Sequence, residues 1–570
     1  MKILGINYFF HDSSACIVDD GELVVALEEE RFSRSKHTTL FPHAAIARCL
    51  EVAGCGYEDI DHVAVSINPT KDWHKKILYG LKLGHRMWPF VKHELIRAVR
   101  KQVDFNAWYK EHWPAGKGPT VHNVDHHLSH IAGSFFVSPY DKAALLSIDG
   151  SGEWSTTWMG ETDGRHFTCY SETEFPNSLG SFYEAATQFC GFRPNYDEGK
   201  TMGLAPFGDP ERFYGTMAQM IEIGPRGEVK MDLSWFNYQT LAHWRLGDRY
   251  VQAFGRPRQD GEPIEKHHED VAAAAQRVLE DRVLEMCRIL ERESSADYLV
   301  ISGGVALNSV MNGRILRETR FKDVYVMPAA GDNGTCIGAA YYVYNHKLGA
   351  TRRYSHNNPY LGTEYSNEFI ERTLKQCKLP YEKLGDASTT AARLLGEGKI
   401  IGWFQGRMEI GPRALGSRSI LANPTLPDMK AKINAEVKHR EAYRPFAPSA
   451  TVECSKEYFD IDVEAPFMLK VCDVRPDKRE LLPAITHVDG SARLHTVRAE
   501  TSPRYHKLIA ELGGITGVPV VLNTSFNIMG EPVVESPLQA IRCFFSTGLD
   551  ALVIGDFLVR KDGVGTSVTV

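Results

Sequence analysis

Two stretches of the chain share a pattern of strand, tight turn and second strand, and this repetition limits the fold more than any other feature of the sequence. Near the N-terminus KILGINYFF, ACIVD and ELVVALEEE alternate apolar and small residues, and Asp19-Asp20-Gly21 supplies a hairpin turn. In AALLSIDGSGEWSTTWMGE a strand ends at Asp149, Gly150–Gly152 turns the chain, and a second strand follows. A carboxylate beside glycine backbone suits phosphate or metal binding. We therefore predict a duplicated α/β fold that handles nucleotides.

The chain is long enough for more than one hydrophobic core, and its turn-forming residues indicate where the cores divide. At 570 residues, two or three domains are expected. Residues 348–366 are polar and rich in turn formers, which marks a boundary. A helix is predicted over 266–292, and DYLVIS, KIIGWF and PVVLNTSFN are typical of strands. We predict a first domain over 1–355 and a second α/β domain over 362–570.

Charge and cysteine content exclude several classes of protein. The formal net charge of −7 argues against a general nucleic-acid binder, which needs an excess of Lys and Arg on one face. Eleven cysteines without a C-x-x-C pair predict reduced, mostly buried thiols rather than a disulfide framework. No signal peptide and no long apolar run is present in the sequence, so we expect a cytoplasmic protein without a membrane span.

One segment, residues 74–102, is basic and aromatic within this acidic chain. Two interpretations stay open. The segment is either a solvated amphipathic helix pair or part of a surface that binds an acceptor substrate, since it lies just before a histidine motif. The sequence does not specify its role.

The histidine motif DHHLSH, at 125–130, begins a segment whose spacing suits a helix. His126 and His130 are four residues apart and share one helical face, where both imidazoles reach a single ion. A zinc-peptidase site is excluded because no glutamate follows the first histidine. Asp149, at a strand end, and Asp332, in the tight loop PAAGDNG, are the carboxylates best placed to complete the ligand set. Two histidines and two carboxylates suit Fe(II), Mn(II) or Zn(II), among which composition does not choose.

Glycine turns supply a candidate nucleotide site. SGGVALN places two adjacent glycines between a strand and a helix, where backbone approaches a ligand without hindrance from a Cβ atom. The residues predicted to contact nucleotide are Gly303, Gly304, Asn308 and Asp332. A P-loop is excluded at 199–201, because Pro194 stands where the required glycine should be. A loop bordering the active site is predicted there instead.

The second domain is rich in cations set among glycine and proline. Such cations are poorly explained as a solvated helix face, and arginine forks match phosphate and carboxylate geometry. We therefore predict a polyanion site. Its candidate residues are Arg407, Arg413, Arg418, Lys438, His439, Arg440, Arg444, Arg493 and Arg498, with Asn523, Ser525 and Asn527 at the end of a strand.

Taken in chain order, HHLSH, SIDGSG, EGKTMGLAPFG, SGGVALN and PAAGDNG resemble the N-terminal domain of the antibiotic and nodulation O-carbamoyltransferases. That domain is related to the TsaD-type threonylcarbamoyl transferases of the actin–hexokinase fold. The arginine-rich strings resemble the family's YrdC-like C-terminal domain. The resemblance covers nearly the whole chain, and 70–120 and 225–265 are its variable parts.

The resemblance implies roles for residues of the first domain. The family carries its metal on the two outer histidines of the motif and on two aspartates, which correspond to His126, His130, Asp149 and Asp332. Fe(II) is the ion that it favours. A histidine in an H-D-x-S context, His11 here, is implied as the base that acts on the acceptor.

For the second domain, the resemblance implies a site for ATP and carbamoyl phosphate. The family's lysine, arginine, serine and asparagine pattern corresponds to Lys438, Arg444, Ser525 and Asn523. The arginines expected to bind these substrates with them are Arg413, Arg418 and Arg493.

The implied reaction has two steps. The second domain would form carbamoyl-adenylate from carbamoyl phosphate and Mg-ATP with release of pyrophosphate, and the first would transfer the carbamoyl group to a hydroxyl of a small molecule, such as an antibiotic or other natural product. The alternatives are a threonylcarbamoyl transferase that modifies tRNA and an actin-fold small-molecule kinase. The sequence specifies neither the acceptor nor the oligomeric state, and a homodimer is left open.

Overall fold

The computed structural model describes residues 1–92, 96–114, 118–240, 243–355 and 358–561. The chain divides into two compact units, one built from Met1–Glu29 and His37–His356 and the other from Glu30–Lys36 and Asn357–Val570. The main part of the second unit thus begins inside the polar segment 348–366. Among the described helices, none is both long and apolar enough to cross a lipid bilayer.

A short N-terminal segment, Glu30–Lys36, belongs to the second unit, which the sequence does not indicate. The Arg31 guanidinium donates to the carbonyl of Gly411 at 2.8 Å, and Arg34 donates to the carbonyl of Pro532 at 2.6 Å. Because these bonds join residues far apart in sequence, the local pattern gives no sign of them.

The described residues of the first unit contain two five-stranded sheets and a separate hairpin. The strands are β1 (Lys2–Asn7), β2 (Ser14–Asp19), β3 (Glu22–Glu28), β4 (His62–Val65), β5 (Thr120–Asn123), β6 (Ala143–Ile148), β7 (Ser155–Thr162), β8 (Phe167–Glu174), β9 (Ile221–Ile223), β10 (Val229–Met231), β11 (Tyr298–Ser302) and β12 (Asp323–Val326). The sheets have the orders β3-β2-β1-β4-β5 and β8-β7-β6-β11-β12, and β9 pairs with β10.

The two sheets repeat one topology. In each, a central strand pairs antiparallel with the strand that follows it and parallel with a later one: β1 with β2 and β4, and β6 with β7 and β11. Asp20 and Gly21 have φ values of 47° and 88°, so the turn between β2 and β3 uses the left-handed backbone that a two-residue hairpin favours. The predicted duplicated α/β fold of the first unit is therefore confirmed.

The helices up to residue 356 include one at the histidine motif and one over the predicted segment 266–292. They are α1 (Glu30–Ser33), α2 (His43–Ala53), α3 (Trp73–Leu83), α4 (Met87–Val91), α5 (Arg97–His112), α6 (His126–Phe135), α7 (Leu179–Phe189), α8 (Glu198–Leu204), α9 (Glu211–Ala218), α10 (Asp248–Phe254), α11 (Lys266–Glu293), α12 (Ser309–Glu318) and α13 (Thr335–Tyr341). The segment predicted as a loop around 199–201 forms α8. Glu198 accepts the N–H of Asn195 at 2.7 Å, which ties the preceding turn to the helix start.

The basic segment 74–102 is helical where it is described, in α3, α4 and the start of α5. Ile77, Leu78 and Leu81 lie on one face of α3 and are 54%, 65% and 65% exposed. A solvated amphipathic helix normally presents polar residues on such a face. The interpretation of the segment as a binding surface stays a prediction.

Two glycines let α6 and α13 approach closely, and this packing sets the histidine motif beside Asp332. A Cβ on Gly133 would lie 3.0 Å from the Cα of Gly338, and a Cβ on Gly338 would lie 1.6 Å from the carbonyl oxygen of Ser129. A larger residue at Gly338 would therefore push the helices apart. Because α13 begins at Thr335, shortly after Asp332, the helix contact also fixes that carboxylate.

The described residues of the second unit form an α/β structure around a ten-stranded sheet. Its strands are β13 (Glu382–Lys383), β14 (Ile401–Phe404), β15 (Arg418–Ala422), β16 (Ala447–Thr451), β17 (Phe459–Asp460), β18 (Lys470–Val474), β19 (Ser491–Val497), β20 (Val520–Ser525), β21 (Ala551–Ile554) and β22 (Phe557–Arg560). Its helices are α14 (Asn367–Gln376), α15 (Ala387–Gly396), α16 (Met429–Lys432), α17 (Val452–Tyr458), α18 (Pro503–Thr516) and α19 (Pro537–Phe545). The sheet order is β13-β22-β21-β14-β15-β20-β16-β19-β18-β17.

The centre of this sheet is the core of the second unit. Leu395 of α15, Leu508 of α18 and Trp403 of β14 belong to one buried apolar cluster. The predicted strand KIIGWF contains β14, and PVVLNTSFN contains β20. The loop between β14 and β15 and the end of β20 carry several of the candidate anion-binding residues, so the core fixes the backbone from which they project.

Candidate active site

Helix α6 begins at the histidine motif, and its first turn is held by a buried carboxylate. The N–H of His126 donates to both side-chain oxygens of Glu153, at 3.0 and 3.1 Å. A carboxylate at a helix N-terminus satisfies a free backbone donor and interacts favourably with the helix dipole. Burial raises the pKa of Glu153, an effect that the nearby His126 opposes. Glu153 therefore orients the helix from which both candidate metal ligands project.

The four predicted metal ligands lie together and are buried. Nε2 of His126 and Nε2 of His130 are 3.1 Å apart, and they lie 3.0 and 3.2 Å from Oδ2 of Asp149. Oδ1 of Asp332 lies 3.5 Å from the first of these nitrogens and 3.4 Å from the second. One ligand atom from each residue fits within a span of 4.8 Å.

This arrangement fits a divalent metal. The separations of 3.0–3.5 Å resemble the edges of a coordination shell whose metal–nitrogen bonds are about 2.0–2.1 Å long. Oδ1 of Asp332 is buried without a hydrogen-bond partner, which is costly for a carboxylate oxygen unless a cation satisfies it. Two imidazoles and two carboxylates form a donor set for a borderline ion.

Metal affinity at this cluster is expected to depend on pH. Burial lowers the pKa of His130, but the neighbouring Asp149 and Asp332 outweigh burial and raise the pKa to about 9. In the metal-free protein His130 thus carries a proton at neutral pH, and an incoming ion has to displace it. The apparent affinity for Mn²⁺ should fall about tenfold for each pH unit below 9 and level off above it.

Isothermal titration calorimetry with Mn²⁺ at several pH values measures this dependence. Repeating it in buffers of different ionisation enthalpy counts the protons released. An affinity that stays constant between about pH 6 and pH 8 would contradict the assignment, since a ligand histidine must lose its proton to bind.

The middle histidine of the motif, His127, has a structural position. Its Nδ1 lies 2.9 Å from Oγ of Ser147, and its Nε2 lies 3.0 Å from the carbonyl oxygen of Ser155. Burial, reinforced by the neighbouring His126 and His130, lowers the pKa of His127 to about 3. Both ring nitrogens are thus occupied by hydrogen bonds to the second sheet, while the outer two histidines face the carboxylates.

The glycine turn after β11 packs against the metal-ligand cluster. The N–H of Gly304 donates to Oδ1 of Asp149 at 3.2 Å. Gly303 has a φ of 87°, and a Cβ there would lie 2.1 Å from the carbonyl oxygen of Ile148, so only glycine fits. Asn308 caps α12 by accepting the N–H of Met311 at 3.1 Å. The turn therefore positions Asp149. The contact of the turn with a nucleotide stays a prediction.

His11 lies beside the cluster without being one of its four members. Its Nε2 is 3.8 Å from Oδ2 of Asp332, and its Nδ1 is 2.9 Å from Oδ2 of Asp12. Burial lowers the pKa of His11, but Asp332, Asp12 and Asp149 outweigh it and raise the pKa well above the usual value. A divalent cation held by the two metal-ligand aspartates would offset much of that negative charge.

In the second unit, Lys438 reaches the end of β20. Its Nζ lies 3.3 Å from Oγ of Ser525 and 2.8 Å from Oδ1 of Asn527, and it also contacts the carbonyl of Asn527 at 3.0 Å. Burial lowers the pKa of Lys438 well below its usual value, and Arg440 adds to the effect. Asn523 donates to the carbonyl of Ala414 at 3.0 Å, and its buried Oδ1 has no hydrogen-bond partner. The structure therefore brings Lys438 and Ser525 together, and their binding of substrate stays a prediction.

The charges of four arginines of the second unit affect the pKa values within the group. Burial lowers the pKa of Arg413 to about 10 and that of Arg440 to about 9, and Arg444 contributes to both shifts. The pKa of Arg493 falls well below its usual value because of burial and the charges of the other three. Among the described residues, no carboxylate lies within ion-pair distance of Arg413, Arg440 or Arg493. Half-buried cations without a carboxylate at ion-pair distance are typical of anion-binding sites, and the binding of substrate here stays a prediction.

Other arginines of the predicted set have structural positions. Arg418 is fully buried over the ring of Phe404, and it donates to the carbonyls of Gln405 at 2.9 Å and Thr363 at 3.2 Å. Its two terminal nitrogens are thus engaged by backbone, which favours a structural role over substrate binding. Exposed Arg498 pairs with Glu464 at 2.8 Å.

Several residues near these sites are not indicated by the sequence patterns. Glu184 of α7 pairs with Arg245 at 2.9 Å, and burial raises the pKa of Glu184 although the charge of Arg245 opposes that rise. His37 lies 2.7 Å from Asp12, the neighbour of His11. His37 directly follows the run ERFSRSK, and this was the signal in the sequence that could have indicated it. No spacing rule connects Glu184 with Arg245.

Two family models together match most of the chain. The model described as Carbamoyltransferase N-terminus matches residues 2–341, and the model described as Carbamoyltransferase C-terminus matches residues 392–561. The four clustered candidate metal ligands lie within the first match, and the clustered arginines of the second unit lie within the second.

Relatives of this chain match it over nearly its whole length. Nodulation protein NolNO of Sinorhizobium fredii is 36% identical over 563 residues, which cover 97% of this chain and 80% of the relative. The 3'-hydroxymethylcephem-O-carbamoyltransferase of Streptomyces clavuligerus is 26% identical over 561 residues, covering 97% and 98%. An uncharacterised protein of Synechocystis is 38% identical over 599 residues, covering 98% and 96%. The chain belongs to the O-carbamoyltransferase family and is a carbamoyl-transferring enzyme.

Proposed function

We propose that this enzyme is an ATP-dependent O-carbamoyltransferase that makes carbamoyl-adenylate in its second, YrdC-like unit and transfers the carbamoyl group in its first, TsaD-like unit. One observation carries the proposal: half-buried Arg413, Arg440 and Arg493 have no carboxylate within ion-pair distance among the described residues. Such a group fits phosphate-rich substrates such as Mg-ATP and carbamoyl phosphate.

In the proposed activation step, carbamoyl phosphate and water give carbamate and phosphate. A carbamate oxygen then attacks the α-phosphorus of ATP, the bond to the β-phosphate oxygen breaks, and pyrophosphate leaves. Lys438, Arg444 and Arg493 balance the charge of these anions in a buried site, where such interactions are stronger than in water. Ser525 and Asn523 orient the reactants by hydrogen bonding.

In the proposed transfer step, the acceptor hydroxyl attacks the carbamoyl carbon, and AMP leaves with the electron pair of the broken carbon–oxygen bond. Nε2 of His11 takes the hydroxyl proton. His126, His130, Asp149 and Asp332 would hold a divalent ion, with Fe(II) the expected one and Mn(II) or Zn(II) the alternatives. When bound, that ion supplies Lewis-acid polarisation of a substrate oxygen.

Arg444→Ala is expected to impair activation selectively. Loss of a charge-assisted partner worth about 1.5–3 kcal/mol corresponds to about a 10- to 150-fold fall in carbamoyl-phosphate-dependent pyrophosphate release. A coupled pyrophosphate assay measures the rate. The first unit is unchanged, so transfer from supplied carbamoyl-adenylate should persist.

Arg498→Ala is the matched control, because Arg498 is an exposed arginine of the same unit that already pairs with Glu464. It should release pyrophosphate at the parent rate. Unchanged release in Arg444→Ala would place the activation site elsewhere.

The acceptor is proposed to be a hydroxyl-bearing small molecule, since the name of the Streptomyces relative specifies a hydroxymethylcephem. The proposed function is tested by incubating the metal-loaded enzyme with ATP, radiolabelled carbamoyl phosphate and a panel of such compounds. The panel comprises 3'-hydroxymethylcephem, an aminoglycoside, a macrolactam and a chitin oligosaccharide. Label should enter one of them only when ATP is present. Transfer without ATP would contradict the activation step.

A further inference from the structure

His37 and Asp12 extend the row of side chains that begins at His11. Nδ1 of His11 lies 2.9 Å from Oδ2 of Asp12, and Nδ1 of His37 lies 2.7 Å from Oδ1 of the same carboxylate. Each oxygen of Asp12 is therefore engaged by one imidazole. The side chains of His11, Asp12 and His37 are 34%, 18% and 20% exposed, so the row is partly shielded from water.

The backbone holds this row at a fixed spacing. Asn7 donates to the carbonyl of Asp12 at 3.1 Å, and the N–H of Ser13 donates to the carbonyl of Thr38 at 3.1 Å. Asp12 and His37 both have a φ of 52°, in the left-handed region that residues other than glycine seldom adopt. Such conformations persist where the surrounding structure imposes them, and they concentrate at functional sites.

We propose that His37 is a positioning residue that acts through the Asp12 carboxylate to fix the orientation and tautomer of His11 for carbamoyl transfer. The inference rests on the proposed function, in which His11 takes the proton of the acceptor hydroxyl. It assigns a role to His37, which is not one of the four clustered ligands.

The physical reason lies in the geometry of a bridging carboxylate. When Asp12 accepts a hydrogen bond from Nδ1–H of His11, the lone pair of Nε2 is left for the incoming proton. That nitrogen faces the metal-ligand cluster, 3.8 Å from Oδ2 of Asp332. A carboxylate bound through one oxygen alone still turns about its side-chain torsions. The second bond, from His37, restricts that motion and so holds the imidazole of His11.

Two substitutions of His37 separate its hydrogen bond from its backbone conformation. Asparagine and glycine both tolerate a positive φ. The Asn side-chain amide places a donor near the position of Nδ1, whereas Gly has none. We expect His37→Gly to lower kcat for carbamoyl transfer about 10- to 100-fold, the usual cost of removing a partner that orients a functional histidine. His37→Asn should retain most of the activity.

The readouts distinguish positioning from a general loss of structure. In His37→Gly, carbamoyl-phosphate-dependent pyrophosphate release, its KM for carbamoyl phosphate and the metal content should match the parent. His166 forms a similar pair with Asp163 at 3.3 Å on an exposed surface, so His166→Gly serves as the control. Equal losses in His37→Gly and His37→Asn would overturn the inference, because the donor would then not be the cause.

Crystal structures of the parent and of His37→Gly show the orientation of the His11 ring, a test that does not require the acceptor. We expect the His11 ring to rotate or to lose its bond to Asp12 in the variant. An unmoved His11, or transfer at the parent rate, would overturn the inference. If the parent carbamoylates no compound of the panel, the proposed function fails instead, and the crystal comparison still decides whether His37 positions His11.

Discussion

His130→Ala is expected to remove the bound metal and to lower carbamoyl transfer by at least about 10³-fold, because the charge stabilisation that a metal supplies is worth several kcal/mol. In the structure Nε2 of His130 lies 3.2 Å from Asp149 and 3.4 Å from Asp332, so its loss opens one side of the ligand set. Pyrophosphate release should persist, since the cations proposed to promote it belong to the second unit. Elemental analysis of the purified variant, with separate assays of the two steps, measures each effect.

His122→Ala is a suitable control for that substitution. His122 is a partly exposed histidine of the first unit that pairs with His62 at 3.1 Å, away from the four proposed ligands. It should keep both metal and transfer activity. A His130→Ala enzyme that transfers carbamoyl groups at the parent rate would show that the ligand assignment is wrong.

His11→Asn should lower carbamoyl transfer by roughly 10²- to 10⁴-fold, the usual worth of general-base catalysis. The Asn side chain replaces the imidazole by an amide, which does not take up a proton near neutral pH. Because His11 is not one of the four clustered ligands, metal content should be unchanged, and so should pyrophosphate release. Steady-state transfer rates with the acceptor found in the panel measure the loss.

Two results with His11→Asn would contradict the proposed role of His11. Loss of metal would make His11 a ligand or a support of the ligand set rather than a base. Transfer close to the parent rate would remove His11 from the proton-transfer step, and the acceptor hydroxyl would need another base.

Local sequence patterns were enough to identify the four residues that cluster in the first unit. The four-residue interval between His126 and His130 predicts a shared helical face, and both side chains lie on α6 within the cluster. Asp149 was chosen because it ends a strand beside glycine, and Asp332 because it lies in the tight loop PAAGDNG. In these cases the relevant geometry lies within a few residues of the side chain itself.

The residues that could not be predicted from the sequence are positioned by contacts between distant parts of the chain. Glu153 holds the start of α6, and His37 reaches Asp12 from 25 residues further along the chain. The two bonds depend on how β strands and turns come together, which no local periodicity encodes. The place of the segment Glu30–Lys36 in the second unit was not predicted either, because it also depends on contacts between residues far apart in the sequence.

Arg418 shows the limit of reasoning from composition. A cation among glycines was predicted to bind substrate, but the fold buries this one over Phe404 and engages its guanidinium with backbone carbonyls. Arg413 and Arg493, from equally basic strings, are instead half-buried without a carboxylate partner among the described residues. Only the tertiary structure separates an arginine whose guanidinium is bonded to the backbone from one that is left without a carboxylate partner.

The nucleotide product of the reaction tests the central claim most directly. Purified, metal-loaded enzyme is incubated with Mg-ATP, carbamoyl phosphate and the acceptor panel, and the nucleotides and phosphates are quantified by anion-exchange chromatography. We predict AMP and pyrophosphate in equal amounts whenever the acceptor is carbamoylated, and neither when carbamoyl phosphate is omitted. ADP as the nucleotide product, formed without carbamoyl phosphate, would contradict adenylate formation and indicate phosphoryl transfer instead.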